Sequence, residues 1–417
     1  MLIKTLQTEN DSFGYLAIRV TNNLNYPISG ARISISYNDG TGTIIENLVT
    51  DISGSTESIR LPAPNIDLSL TATNEIQPYS EYNINVTAEG YEPGTIIGIE
   101  ILADTLSEQR VRLTRSEANN PSNNVFIPDH TLYGEYPEKI PEAEVKPVSE
   151  TGEIVLSRVV VPETIVVHDG VPSDSSAKNY YVSYTDYIKN VASSEIYATW
   201  PESSITANIL AIMSFTMNRI YTEWYRNKGY DFTITSSNAY DQKWIYGRNI
   251  YENISDIVDD IFENYISRPN VRQPLLTQYC DGQRVSCPNW LSQWGSKSLG
   301  DRGYSPVEIL RYYYGEDIFI NTAEQISGIP ASYPGYDLTI GSSGDKVRMA
   351  QEQLVTISEV YSAIPTISID GIYGPRTADA VREFQSIFGL PQTGVIDYRT
   401  WYKISQIYVG ITRIGEL

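Results

Sequence analysis

The chain has 417 residues, 41% hydrophobic, 11% aromatic and 19% charged, which suits two or three cored domains and excludes a disordered or fibrous protein. The 30 Lys and Arg against 51 Asp and Glu give a net charge of −21, which excludes the basic footprint of a nucleic-acid binder or of a protein docking on anionic lipid. Two cysteines cannot form a disulfide scaffold, two histidines leave little for metal chemistry, and 32 tyrosines supply rings that stack on sugars without adding positive charge.

In chain order, the opening MLIKTLQTENDSFGYLAIRV lacks the apolar core of a secretory signal, and no run approaches the length of a membrane span. Synthesis in a cytosol is expected. Residues 1–115 read as all-β. Alternating runs at Tyr15–Val20, Ala31–Tyr37, Tyr82–Ala88 and Gln109–Thr114 are separated by turn signals at Pro27–Gly30, Asn38–Gly40 and Gly90–Gly94. Period-two patterning with turns every dozen or so residues predicts a β-sandwich.

Residues 116–151 carry Pro121, Pro128, Pro137, Pro141 and Pro147 among scattered acids. Prolines this dense prevent a helix or a central strand and predict an extended linker, open to proteases, that is either a passive spacer or a pro-segment. Residues 152–327 mix elements and predict an α+β domain. Val159–Gly170 reads as a strand broken at Pro162. A long helix is expected from Pro201, in the first turn, to Lys228-Gly229, with Ile205, Ile209, Ile212, Ile220 and Trp224 on its apolar side. A second is expected through 253–266, burying Ile254, Ile257, Val258, Ile261 and Ile266. After the joint Gly328–Asp337, residues 328–417 read as a compact helical unit. One stripe holds Val347, Ala350, Leu354 and Ile357, another Ala378, Val381, Phe384 and Phe388, with the loop Asp370–Thr377 between.

Three resemblances follow from particular residues. Pro27–Ala31, Ile52–Gly54 and Ala88–Tyr91 resemble the carboxypeptidase-regulatory, transthyretin-like sandwich. No catalytic constellation accompanies them. The run from Gly341-Ser-Ser-Gly344 through Gln351, Asp370-Gly-Ile-Tyr-Gly374, Phe384-Gln385 and Thr393-Gly394 to Thr400-Trp401 resembles the type 1 peptidoglycan-binding domain. This implies a three-helix fold and, among residues better suited to contact than to core, Asp370, Tyr373 and Gln385 as ligand contacts.

The stretch from Tyr187 to Ile220, and Leu291–Gly315 with its Ser-Gln-Trp-Gly motif, resemble the stage II sporulation protein D and amidase-enhancer family. That resemblance assigns Glu195 as catalytic acid/base; without it, a lone Glu before a helix is more often a surface charge complementing the helix dipole. Ile196, Tyr197 and Trp200 could supply the apolar setting such an acid needs. Trp200, Tyr279, Gln293 and Trp294 are the candidate substrate contacts, with Trp290 and Tyr312-Tyr313-Tyr314 as further sugar platforms. Some members hold zinc with His and Cys residues near the segment equivalent to Thr235–Gly247, which here has neither. The family's later threonine is also missing from Tyr279–Arg284. No metal and no cofactor are therefore expected. Cys280 and Cys287 are either a buried thiol pair or a local disulfide.

The order of modules is similar to that of the cortex-lytic enzymes of clostridial spores. That resemblance implies a lytic transglycosylase made as an inactive precursor, activated by a subtilisin-like germination protease. It implies cortex peptidoglycan containing muramic-δ-lactam as substrate and deposition in the spore cortex or coat region. Neither nucleic acid nor membrane is expected as a partner. The competing reading is a non-catalytic glycan-binding enhancer of a partner amidase. The sandwich is expected to hold the enzyme inactive through the tether and to diffuse away once the tether is cut.

Overall fold

Alternation of apolar and polar residues makes Ser12–Asn22 a strand that buries Leu16, Ile18 and Val20. It pairs in parallel with Leu106–Leu113 and antiparallel with Ile59–Ala63. A second sheet runs Ile44–Val49, Arg32–Tyr37, Ser80–Thr87, Gly94–Ile101 and Asn123–Phe126. Between the sheets lies one core that includes Ile33, Ile35, Ile84, Ile96 and Leu113. The computed structural model describes residues 12–116, 123–146, 156, 158–326 and 333–412. The N-terminal eleven positions, Pro121, Pro147, the expected domain start at 152–155 and the first part of the 328–337 joint lie outside the described residues.

The sandwich and the central region share a sheet. Ile250–Tyr251 pairs antiparallel with Ser107 and Glu108 at the edge of the first sheet. Beside it, Arg248 and Glu100 form an ion pair buried from both sides. Asn249 Nδ2 donates to the Glu100 carbonyl at 2.8 Å, Gln109 Nε2 to the Gly247 carbonyl at 2.9 Å, and Trp200 Nε1 to the Ser69 carbonyl at 3.0 Å. A tether is therefore not what keeps the two together.

In the central region the Tyr184–Glu195 helix starts at Ser183, whose Oγ accepts from Asp186 N at 3.2 Å. The Glu202–Tyr221 helix is buried nearly all round, including Ile205, Ile209 and Ile212. Pro201 occupies its cap position rather than its first turn. The helix stops well short of Lys228. Glu223 adopts a left-handed φ of 46°, and Gly229 at φ 83° closes a separate short turn. The second expected helix spans only Glu252–Ile261. Ile266 lies instead on the strand Asn264–Ser267, paired antiparallel with Phe319–Thr322, where the β-branched side chain reaches the core from a pleat. Pro162 separates Val160–Val161 from Thr164–His168, as its missing N–H requires.

Three helices, Asp345–Val360, Pro375–Ile387 and Tyr398–Thr412, enclose Val347, Leu354, Val381, Phe384 and Trp401. The chain is thus multidomain, with mixed sheets and a helical C-terminal region. Tyr361 Oη donates to the Asn25 carbonyl at 3.2 Å, and Arg399 pairs with Asp260, so that region touches both others.

Residues 127–146 depart most from expectation. Apart from a turn at 131–134 they form no regular element, as Pro128, Pro137 and Pro141 dictate, but they are not an exposed tether. Ile127, His130, Leu132, Tyr136, Lys139 and Lys146 are buried. Proline removes a backbone donor and so excludes regular pairing, but it does not exclude burial, because fewer N–H groups then need partners. This segment is a strap across the central region.

Candidate active site

Glu195 is the last residue of the Tyr184–Glu195 helix, and Ile196 after it is extended. This end of a helix disfavours an anion, the reverse of the dipole-complementing role open to a glutamate heading a helix. The carboxyl is wholly inaccessible. Its Oε1 accepts from Lys243 N at 2.7 Å, and the carboxyl otherwise meets only the Tyr279 phenol. Burial raises its pKa above the ordinary carboxylate range, opposed by the charge of Lys139 and by the Lys243 N–H.

Lys243 N–H is aimed by its neighbours. Buried Asp241 accepts from Arg219 Nε at 2.7 Å, Tyr225 Oη at 2.7 Å, Thr235 N at 2.9 Å and Thr235 Oγ1 at 2.7 Å. Gln242 Oε1 accepts from Tyr187 Oη at 3.0 Å and Thr216 Oγ1 at 2.8 Å. Both side chains are saturated, so the backbone that follows them is fixed. None of these partners stands out in the sequence, where Asp241-Gln242-Lys243 reads as an ordinary polar stretch.

The opposite wall comes from a short parallel bridge between Tyr279–Cys280 and Leu291–Ser292. The loop between is closed by a Cys280–Cys287 disulfide, which settles the two alternatives left by the sequence. Asp281 pins the same loop by accepting from Val285 N at 2.9 Å, Arg284 N at 3.1 Å and Gln283 N at 3.2 Å. The bridge brings two of the expected substrate contacts together. Tyr279 lies beside Glu195, and its phenol is pushed far up, by burial first and then by the glutamate's charge. Gln293 Oε1 accepts from Tyr136 Oη at 3.1 Å. Gln293 Nε2 is buried without a partner among the described residues, while the Tyr279 phenol and the Glu195 carboxyl engage each other.

The other two expected contacts lie apart from open solvent. Trp200 and Trp294 meet with ring centroids 4.9 Å apart, and Tyr197 meets both edge-on. Because Trp200 Nε1 is committed to the sandwich, Trp200 is an anchor between domains rather than an open platform. Trp290, Tyr312 and Tyr313 line an open cavity of about 360 Å³ with Asn289 and Ser286, while Tyr314 is buried and donates to the Gln278 carbonyl at 2.9 Å.

The strap covers this site, a feature no sequence signal announced. His130 stacks on Tyr197 at 4.5 Å. Lys139 donates to the Asp241 carbonyl and sits 4.6 Å from the Tyr279 ring centroid. Burial pulls its pKa down to about 8, against the Glu195 and Asp241 charges.

In the C-terminal region, Tyr373 and Gln385 are buried and cannot meet a ligand as placed. Tyr373 Oη donates to the Gly394 carbonyl at 3.0 Å, and Gln385 bridges Gly394 N at 2.8 Å and the Val395 carbonyl at 2.9 Å. The polarity that marked them as contacts serves loop closure. Asp370 is exposed, though its Oδ1 accepts from Gln351 Nε2 and Ile372 N, both at 2.9 Å. Each histidine is engaged: His130 Nδ1 accepts from Leu132 N at 3.2 Å, and His168 Nδ1 meets Asn179 Oδ1 at 2.8 Å. Among the described residues no cluster of three or more His, Cys, Asp or Glu forms a ligand set. Nor is any described helix long and apolar enough to cross a membrane.

Residues 343–404 match the family model described as "Putative peptidoglycan binding domain". Over 70 residues the chain is 37% identical to the zinc D-Ala-D-Ala carboxypeptidase of Streptomyces albus G, spanning 17% of this chain and 26% of that protein. Over 69 residues it is 33% identical to an uncharacterized protein of Kitasatospora aureofaciens, spanning 16% of this chain and 53% of that one. The chain thus covers between a quarter and about half the length of these relatives. Among solved structures, the SleB N-terminal domain is 28% identical over 18% of this chain and 99% of its own, with a TM-score of 0.16. The chain thus carries, at residues 343–404, a region that matches peptidoglycan-binding domains.

Proposed function

We propose that this protein is a lytic transglycosylase that cleaves peptidoglycan glycan strands with Glu195 as its one acid/base. The observation that carries the reading is the state of the carboxylates around the site. Asp241 and Asp281 are saturated by structural donors, whereas Glu195 has, besides the Lys243 N–H, only the Tyr279 phenol, itself a candidate sugar contact. Hydrolytic glycosidases usually need two working carboxylates. A transglycosylase needs one.

In the proposed reaction the protonated Glu195 gives its proton to the glycosidic oxygen as the bond to muramic C1 breaks. The resulting carboxylate takes the proton of the same sugar's C6 hydroxyl, and that oxygen closes on C1. The products are a 1,6-anhydro end and a free hydroxyl on the leaving sugar. No water is consumed, and Glu195 ends protonated as it began. A raised pKa suits an acid that must start protonated near neutrality. Tyr279, beside Glu195, and Gln293, through its unpartnered Nε2, are placed to orient sugar hydroxyls.

The C-terminal region would hold the enzyme on the wall. On the same reading the chain is a precursor, its leading part removed by a subtilisin-like protease during germination, with muramic-δ-lactam-containing cortex as substrate. The test is the Glu195→Gln variant. It keeps an oxygen for the Lys243 N–H but cannot cycle a proton, so turnover of glycan strands, read in protein whose strap is freed by Tyr136→Ala and Lys139→Ala, should fall about 100-fold or more. Unchanged turnover in a folded variant would defeat the assignment, and it would favour an enhancer that only presents glycan to a partner amidase.

A further inference from the structure

We infer that the strap of residues 129–146 lies in the groove that a glycan strand occupies, so the chain carries its own occupant of the saccharide site. The inference rests on the reading of Glu195 given above.

The strap is held along its whole course, by backbone hydrogen bonds, by Arg219, Arg268 and Arg284, and also by side chains of the kind that bind sugars. At one end His130 stacks on Tyr197, next to Trp294. In the middle Tyr136 bonds Gln293, and Lys139 lies over Tyr279. Further on, Glu142 N donates to Gln278 Oε1 at 2.8 Å, and Lys146 N donates to Gln273 Oε1 at 2.6 Å. Lys146 Nζ lies 4.3 Å from the Trp224 ring centroid. Primary amides and aromatic faces in line along an extended chain can serve N-acetylated sugars equally well. The amides pair with hydroxyls and acetamides, and the rings stack on apolar sugar faces.

A second observation is independent of the first. Gln293 Nε2 lies beneath the strap, buried and unpartnered, and Glu195 and Tyr279 there meet each other rather than any polar atom of the strap. Buried polar atoms normally have partners, and leaving each unmade is costly. The strap covers Gln293 Nε2 without satisfying it, so it is not the ligand that this floor fits. A hydroxyl-rich ligand is. The strap's ionic anchorage is at its far end, where the Glu142 carboxylate grips Arg219 at 2.7 and 3.0 Å and pairs with Lys146. The sandwich, expected to be the inhibitor, instead meets the central region along its own strand edge and the Glu100–Arg248 pair.

The test uses the full chain in the Glu195→Gln background, so that binding is read without turnover. The probe is soluble peptidoglycan glycan strands stripped of peptide. Weakening the strap with Tyr136→Ala and Lys139→Ala should tighten binding at least tenfold over Glu195→Gln alone, since the C-terminal region contributes equally to both. Hydrogen exchange on the Glu195→Gln chain needs no strap variant: saturating glycan should speed exchange at the Glu142 and Lys146 amides. Equal affinities, or glycan bound with those amides still protected, would overturn the inference. The same strap changes with Glu195 intact keep the two readings apart. Tighter binding without anhydro products leaves the groove standing and removes the transglycosylase, whereas anhydro products formed at equal rates with either strap do the reverse.

Discussion

At residue scale, the proposed chemistry depends on a carboxyl set at the wrong end of a helix for an anion and buried beside the Tyr279 phenol. A folded pKa above the ordinary range has two consequences. The acid form persists to higher pH, so the rate of strap-free protein should fall as pH rises through that raised pKa. The same group contributes stability below its ordinary pKa, and that contribution is lost as pH rises. A pH–rate profile checks the first, and a profile already flat across the whole carboxylate range would count against Glu195 as acid. Glu195 is legible in the sequence because its Ser-Ser-Glu-Ile context resembles a family motif. Lys139 is not legible, because a lysine among prolines and acids looks like solvated linker. Trp200, Tyr373 and Gln385 show a different limit. A tryptophan or glutamine suited to a ligand is equally suited to a domain contact or a buried loop clamp, and only position separates the roles. The Gln385→Ala variant would leave the Gly394 N–H unpaired and should cost about 1–3 kcal/mol, read as a lower denaturation midpoint of the C-terminal region.

At the scale of elements, period-two alternation was enough to find the sandwich strands, since one face of each is buried. It did not reveal that Ile250–Tyr251, from another region, completes the first sheet, because a two-residue strand has no period. Nor could helical spacing foresee the left-handed Glu223 that ends the long helix, or the sheet pairing that claims Ile266. Where the two regions join, Arg248 pairs with Glu100 and donates to the carbonyl of Ser193, two residues before Glu195. The Arg248→Ala variant strips a buried carboxylate of its partner and should destabilise by about 3–5 kcal/mol in a denaturant melt. A loss below about 1 kcal/mol would mean that this pair does not hold the interface.

At the scale of the whole molecule, the shared sheet predicts that cutting the chain between sandwich and central region does not release the sandwich. After a single proteolytic nick there, the fragments should co-elute in gel filtration and separate only in denaturant; a freely eluting sandwich would contradict the interface. Activation on this account means emptying the groove, a change of the strap rather than the loss of a domain. The measurement that bears most directly on the central claim is mass spectrometry of glycan digested by strap-free protein in ¹⁸O-labelled water. The account predicts 1,6-anhydromuramic ends that carry no label and that vanish with Glu195→Gln. Reducing ends bearing one ¹⁸O would show that water attacks C1, and that Glu195 does not work alone.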